Sequence, residues 1–247
     1  MNDLNKGNAN YQRKEKLKRL MRQLNIDQPP STKSQAFGSR KIDLIDEALT
    51  HSSANQKRNY EKLEFLGDAV LRLVASEFIE QNFPAMQVGE RSLLRAHLVS
   101  DRWLSKVGKE IKIEEFLIIG SMAAGDSLAK DTINGETIEA LIGAIYQYWN
   151  NLEPIHDWLR PFWVKESQLF LENPDYFNSK SALQEWCQGE KLGIPDYQSE
   201  ERNLDHGSTK RFFCKVYIND SFLGQGWGKS RRESEQEAAR EALGKLK

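Results

Sequence analysis

Residues 59–73 read N-Y-E-K-L-E-F-L-G-D-A-V-L-R-L, and they set three carboxylates, Glu61, Glu64 and Asp68, at i, i+3 and i+7 inside an otherwise apolar run. On a helix turning 100° per residue, the three fall within about 60° of one another on one face. Unpaired carboxylates beside apolar surface are costly, and like charges at this spacing repel even when exposed. A cation must offset them, and a hard metal ion suits carboxylate oxygens. Axial spacing then sorts the three. Glu61 and Asp68 stand about 10 Å apart along the axis, too far to share an ion, whereas Glu64 and Asp68, about 6 Å apart, can share one. Glu61 is left at the edge, facing a second ion or the substrate.

Residues 136–149, E-T-I-E-A-L-I-G-A-I-Y-Q-Y-W, predict the helix that completes this half-site. Leu141, Ala144, Ile145 and Tyr148 form an apolar stripe at helical spacing. Glu136 and Glu139 stand one turn apart, and Gly143 continues their face with no side chain, which lets another helix approach closely. Two helices each offering a carboxylate pair can enclose a divalent ion, and four carboxylates plus waters suit octahedral Mg2+. Two cysteines, Cys187 and Cys214, without a C-x-x-C spacing and with no Cys/His cluster, argue against zinc. No Gly-rich nucleotide loop accompanies the acids, so the chemistry points to phosphodiester hydrolysis without a nucleotide cofactor. The bland alternative for either pair is salt bridging or helix capping.

The bulk properties fit this reading without deciding it. A length of 247 residues predicts one large and one small domain. A hydrophobic fraction of 39% and a charged fraction of 29% fit a soluble globular protein. No run of eighteen apolar residues exists, and the N-terminus lacks a secretory apolar region, so neither membrane insertion nor secretion is expected. Cysteine usage favours a reducing compartment. The net charge of −1 excludes a uniformly basic nucleic-acid binder but allows local patches.

Along the chain, residues 1–10 are polar and predict disorder. Leu17, Leu20, Met21 and Leu24 predict a short amphipathic helix over 11–24 that docks one face and solvates Arg13, Lys14, Lys16, Lys18, Arg19 and Arg22. Residues 27–40 read as a Pro/Ser/Gly loop, and 42–49 as a second helix, after which His51 reads as a structural, hydrogen-bonded histidine. The acidic helix should run to about Asn82, where Phe83-Pro84 stops it, with Leu63, Phe65, Leu66, Val70, Leu73 and Val74 on its apolar side. Helices are expected over 91–100, 102–111 and 153–171, and a surface loop over 121–131.

Beyond a linker at 172–178 the pattern changes. A short helix at 181–188, strands at 197–204, 211–218 and 222–227, and a helix opening on the capping-box pair Ser230 and Glu233 give α-β-β-β-α. Lys229, Arg231 and Arg232 cluster at the start of that helix, where the dipole and free N–H groups favour phosphate. Residues 178–247 carry 12 Lys and Arg against 11 Asp and Glu, so the patch is local. No aromatic single-strand platform is evident, and shape recognition of a duplex fits better.

These motifs carry a resemblance. Residues 60–71, Y-E-K-L-E-F-L-G-D-A-V-L, closely resemble the ribonuclease III signature N-E-R-L-E-F-L-G-D-A-V-L. It continues through A-L-T-H-S-S at 48–53, L-L-R-A-H-L-V-S at 93–100 and E-T-I-E-A-L-I-G-A-I-Y at 136–146. After the linker it resumes as a double-stranded-RNA-binding domain, with S-A-L-Q-E-W at 181–186, D-H-G at 205–207 and S-R-R-E-S-E-Q-E-A-A at 230–239. The resemblance implies an N-terminal extension at 1–36, an all-α nuclease domain at 37–171 and an α+β RNA-binding domain at 179–247. It implies a homodimer with one Mg2+-dependent centre per subunit, Mn2+ substituting, that cuts both strands of double-stranded RNA. The ends would be 5′-phosphate and 3′-hydroxyl with two-nucleotide 3′ overhangs. A bacterial, cytoplasmic enzyme processing rRNA and mRNA precursors is the type implied.

Carried over by motif, Glu64, Asp68, Glu136 and Glu139 are the implied metal ligands, with Asp68 and Glu139 essential and Glu61 accessory. Phe65 would plug into the partner subunit. Gln184 and Glu185 would meet one minor groove, His206 an adjacent one, and Lys229, Arg231 and Arg232 the phosphates between. Several positions depart from the pattern. Tyr60 replaces Asn, Glu136 replaces Asp and so lengthens that ligand by one methylene, and Val88 replaces an acidic residue. Ser234 replaces Ala, and Glu235 replaces the last Lys of the basic motif, which predicts modest, salt-dependent RNA affinity. The alternative to an enzyme is a non-cleaving duplex-RNA scaffold, favoured if the longer Glu136 mis-seats the ion.

Overall fold

The computed structural model describes residues 2–27, 41–125, 129–172, 179–204, 208 and 210–246. The chain forms two compact units, Met1–Ser167 and Gln168–Lys247. Helices of the first are α1 (Asn2–Gln23), α2 (Lys41–Ala48), α3 (Glu61–Asn82), α4 (Val88–Leu98), α5 (Asp101–Glu110), α6 (Ser121–Gly125) and α7 (Lys130–Trp149). Helix α8 (Glu153–Glu172) follows and spans the division. The expected linker lies outside the described residues except for Glu172. No helix among the described residues is long and apolar enough to cross a membrane.

Helix α7 is the centre of the first unit, packed by α2, α3 and α5. Ile133, Ile138, Ala140, Leu141, Ile142, Ala144 and Ile145 are all buried, so the helix is covered nearly all round, as an apolar central helix must be. Its start corrects the loop expected over 121–131 at both ends: α6 occupies Ser121–Gly125 and α7 begins at Lys130, six residues before Glu136, while residues 126–128 lie outside the described residues. Small and polar residues there resemble a loop locally, yet burial of Ile133 and Asn134 against α5 carries the helix upstream.

Disorder over residues 1–10 is likewise corrected, since α1 begins at Asn2. Leu17, Leu20, Met21 and Leu24 are buried as expected, and Arg13 ties the helix down, Nε to Asp46 and Nη1 to the Phe116 carbonyl, each at 2.7 Å. Once this segment is docked, each further outward residue adds a hydrogen bond without a new nucleation cost. On α3, Leu63, Val70 and Val74 are buried, but Phe65 is 85% exposed and Leu73 50% exposed, so the apolar side read from the sequence is only partly internal. His51 is structural: its Nδ1 lies 2.7 Å from Ser53 Oγ and accepts the Ser53 N–H at 3.0 Å.

Two glycines set the α3–α7 distance. A Cβ on Gly67 would sit 1.8 Å from the Glu139 carbonyl oxygen, and one on Gly143 would sit 2.1 Å from that of Leu63. Backbone therefore meets backbone at the crossing, which any larger residue would forbid.

In the second unit, α9 (Ser179–Gly189) precedes β1 (Asp196–Glu201), β2 (Phe212–Ile218) and β3 (Ser221–Gly228), and α10 (Arg231–Leu246) closes the chain. The sheet is antiparallel in the order β1-β2-β3. Cys214, Val216 and Ile218 point into one core with Leu183 and Cys187 of α9 and Ala238, Ala239, Ala242 and Leu243 of α10. Gly226 lets α10 lie close, since a Cβ there would meet Ala238 N at 2.4 Å. On the opposite face Phe213 is buried too, against Trp227 at 4.7 Å between centroids and under the Arg202 guanidinium at 4.0 Å. That departs from simple alternation, because the outer face carries its own aromatic cover.

Gly143→Ala is expected to cost about 3 kcal/mol, the upper end for overpacking, and to lower the melting temperature by roughly 10 °C. Gly89→Ala, whose Cβ meets nothing within 4 Å, serves as the control and should be neutral or slightly stabilising. Equal melting temperatures for the two variants would contradict the close crossing.

Candidate active site

The carboxylates of α3 and α7 meet beside the glycine crossing. Glu64 and Glu139 are partly buried, Glu136 likewise, and Asp68 is half-exposed. Burial, reinforced by the charges of Glu136, Glu61 and Asp68, pushes Glu64 up to about 7. Burial, with Asp68, Asp101 and Glu64, pushes Glu139 up to about 8 against a weaker opposing pull from Arg72. These effects link Glu64, Asp68, Glu136 and Glu139 electrostatically across α3 and α7. Glu61 is exposed at the start of α3 and joins through its field on Glu64.

Two of the four acids already have protein partners. Arg72, one turn along α3, grips Asp68 with Nε at 2.9 and 3.0 Å and Nη2 at 2.7 Å. The Tyr60 hydroxyl donates to Glu136 Oε2 at 2.5 Å, and burial followed by this bond raises the phenol's pKa. Among the described residues no ion pair within 4 Å reaches Glu64, Glu136 or Glu139. Nor do three His, Cys, Asp or Glu side chains there form a ready-made metal cage. The donor set is entirely carboxylate oxygen, with Arg72 as the one protein cation paired to it among the described residues, which fits a hard divalent ion and not a thiolate- or imidazole-seeking one.

Three contributors were missed in the sequence. Arg72 was legible, since an acid and a base at i,i+4 on a helix are neighbours. Asp101, whose charge acts on both Glu139 and Arg72, follows Ser100, the N-cap of α5, and so reads as an ordinary first-turn acid. The Tyr60–Glu136 contact joins residues 76 positions apart and left no local signal.

In the second unit, Gln184 and Glu185 are exposed on α9, and Arg231 and Arg232 are exposed in the first turn of α10. Lys229 is half-buried; its N–H donates to Glu233 Oε2 at 2.9 Å, while Ser230 Oγ accepts from Glu233 N at 3.2 Å. The predicted cap therefore forms, with the Glu233 side chain reaching one residue further back. His206 lies outside the described residues. Glu235 does not face phosphate as a lysine would, because it pairs with Lys180 at 2.5 Å and accepts from Ser199 Oγ at 3.3 Å.

A helical unit with an acidic centre, followed by an α-β-β-β-α unit with a basic helix start, defines a nuclease of structured RNA. Residues 41–151 match the Ribonuclease-III-like family model, and residues 179–246 match that of the double-stranded RNA binding motif. Ribonuclease 3 of Prochlorococcus marinus is 52% identical over 83% of this chain and 82% of its own. Ribonuclease 3 2 of a Nostoc species is 36% identical over 82% of this chain and 84% of its own. A solved nuclease domain of ribonuclease III from Campylobacter jejuni overlays with a TM-score of 0.45 over 52% of this chain and 83% of that one, at 30% identity. The chain belongs to the ribonuclease III family, and it is an endoribonuclease of the double-stranded-RNA-specific kind. That family is one of metal-dependent nucleases.

The raised carboxyls couple stability to pH. From the ordinary value of 4.5 up to about 7 for Glu64 and about 8 for Glu139, the folded chain holds protons that the unfolded chain releases. Stability therefore falls as pH rises through that window. Glu139→Gln removes part of the dependence, so in chelator its melting temperature should gain on that of the parent chain as pH rises from 5 to 8.5. A gap that stays constant with pH would remove Glu139 from the repelling cluster.

Proposed function

We propose that this chain hydrolyses phosphodiester bonds of double-stranded RNA with Mg2+ held by Glu64, Asp68, Glu136 and Glu139. Mn2+ would serve as a substitute. The observation that supports the reading is that Glu64 on α3 and Glu139 on α7, both partly buried beside the glycine crossing, have their carboxyls raised by burial and by the charges of neighbouring acids. Bound there, Mg2+ would supply Lewis-acid polarisation of the phosphoryl oxygen and an activated water. Asp68 and Glu139 are the acids we assign as essential, Arg72 orients Asp68, and Glu61 at the edge meets the incoming RNA or a second ion. The expected products carry 5′-phosphate and 3′-hydroxyl ends with two-nucleotide 3′ overhangs.

Duplex recognition falls to the second unit. Gln184, Glu185 and His206 are assigned to minor-groove contacts, and Lys229, Arg231 and Arg232 to phosphates at the α10 N-terminus. Cutting both strands requires two centres, and the exposed Phe65 supports a homodimer. A groove along the same helix, with Leu66, Ala69, Val70, Leu73, Tyr146 and Leu152 beside Glu77, Asn150 and Asn151, offers an apolar strip that a partner's phenyl ring could enter. Processing of rRNA and mRNA precursors in the cytoplasm is the biological role this assigns.

Incubating long duplex RNA with Mg2+, Ca2+ or chelator tests the chemistry. Shortening in Mg2+ alone is expected; RNA bound but never shortened in Mg2+ would leave a scaffold. Asp68→Asn should keep RNA binding in Ca2+ while cleavage falls at least about a hundredfold, since a ligand matters no less than its supporting shell. The dimer is tested by sedimentation at micromolar concentration, where the parent chain should run as a dimer and Phe65→Ala as a monomer. Two identical monomeric profiles would rule Phe65 out as the plug.

A further inference from the structure

We propose that Tyr60 is a positioning residue that seats the long Glu136 carboxylate in the metal centre, an inference that rests on the reading of Glu136 as a ligand. Glutamate has one more torsion than aspartate, and a ligand at that position must hold its extra methylene in one conformation to keep its oxygen in place. The Tyr60 hydroxyl does this, donating to Glu136 Oε2 at 2.5 Å. A carboxylate has about four acceptor sites, so the bond leaves Oε1 and a lone pair of Oε2 for a cation.

The donor is itself immobilised. Tyr60 is 4% exposed. Its N–H donates to the Thr50 carbonyl at 2.9 Å, and its own carbonyl accepts from Leu63 N and Glu64 N at 2.9 Å each, opening α3. Its ring packs on His51 at 5.1 Å between centroids, and His51 N donates to the Ile118 carbonyl at 2.9 Å. Thr50 Oγ1 is fixed in turn to the Asp46 carbonyl at 2.7 Å. The phenol therefore projects from an anchored backbone at the head of the helix that carries Glu64 and Asp68, and it reaches across to α7. One hydrogen bond ties the two halves of the acidic centre.

Both positions are departures from the ribonuclease III pattern beside the acids, as is Lys62, but only these two meet in space. Tyr60 stands for Asn and Glu136 for Asp, 76 residues apart, and they are the two ends of this bond. A long donor and a long acceptor reach a contact that neither substitution makes alone. The geometry thus points to one coupled change, in which Tyr60 compensates the methylene added at Glu136.

Tyr60→Phe keeps the ring and deletes the donor. Mg2+ binding followed by calorimetry, and by the metal-induced rise in melting temperature, should weaken by roughly tenfold or more, as for other supporting contacts to a ligand. The Mg2+ concentration for half-maximal cleavage should rise in parallel, while duplex RNA binding in Ca2+-free, Mg2+-free buffer stays unchanged. Glu136→Asp tests the same bond from its acceptor end without touching Tyr60, and should weaken Mg2+ binding by a similar factor. Both changes together should cost no more than either alone. Unchanged Mg2+ affinity in Tyr60→Phe, or strictly additive losses in the double variant, would overturn the inference while leaving the metal centre intact. A parent chain that binds no Mg2+ would overturn both together.

Discussion

The contact between the α3 and α7 backbones at Gly67 and Gly143 is the constraint on which the first unit depends. With a Cβ on either residue the helices would have to separate by more than an ångström, because carbonyl oxygens on both sides leave nothing that can rotate away. Closeness does two things at once. It buries the apolar residues of α7 on every side, and it draws the carboxylates of two helices into a shared volume. Core packing and the acidic centre are consequences of one geometric fact.

That arrangement is electrostatically unfavourable by itself. Burial and the charges of neighbouring acids raise both carboxyls, Glu64 to about 7 and Glu139 to about 8, so that Glu139 favours a proton at neutral pH. A proton and the divalent ion proposed here would compete for the same oxygens, so metal binding would release protons and return stability to the fold. Protein groups relieve part of the repulsion without filling the centre. Arg72 offsets Asp68, and the Tyr60 hydroxyl offsets Glu136 by a neutral bond that leaves the charge available. Function here is bought from the hydrophobic core around it, since the packing of α7 is what holds like charges together.

The second unit handles its charges differently. Glu235, at a position where the family carries lysine, is turned inward to Lys180 and Ser199 and so joins α10 to α9 and β1. Ser234 is fully buried, with its hydroxyl donating to the Arg231 carbonyl at 2.8 Å. Both departures from the family pattern have structural partners within the domain. The basic surface that we assign to phosphate is correspondingly narrow, resting on Lys229, Arg231 and Arg232 at a helix N-terminus, and few phosphate contacts would make its grip salt-sensitive.

Local sequence determined the elements. The carboxylate spacing on α3, the bare Gly143 on the acidic face of α7, the buried stripe of α1 and the cap at Ser230 were all legible, because each depends on helical periodicity or on groups within one turn. Where local composition misled, as at residues 1–10 and 121–131, helix was extended by anchoring that lies elsewhere in the chain. Tertiary structure alone decided that Gly67 is the counterpart of Gly143, that Asp101 acts on Glu139, that Phe65 and Leu73 face outward, and that Tyr60 reaches Glu136. Each of these joins separate elements or assigns a side of a packed helix, and periodicity along one helix carries no information about which neighbour will cover it. The opening stretch thus specified its acidic face by itself, while the partner helix, the charge-offsetting tyrosine and the depth of burial came from the fold.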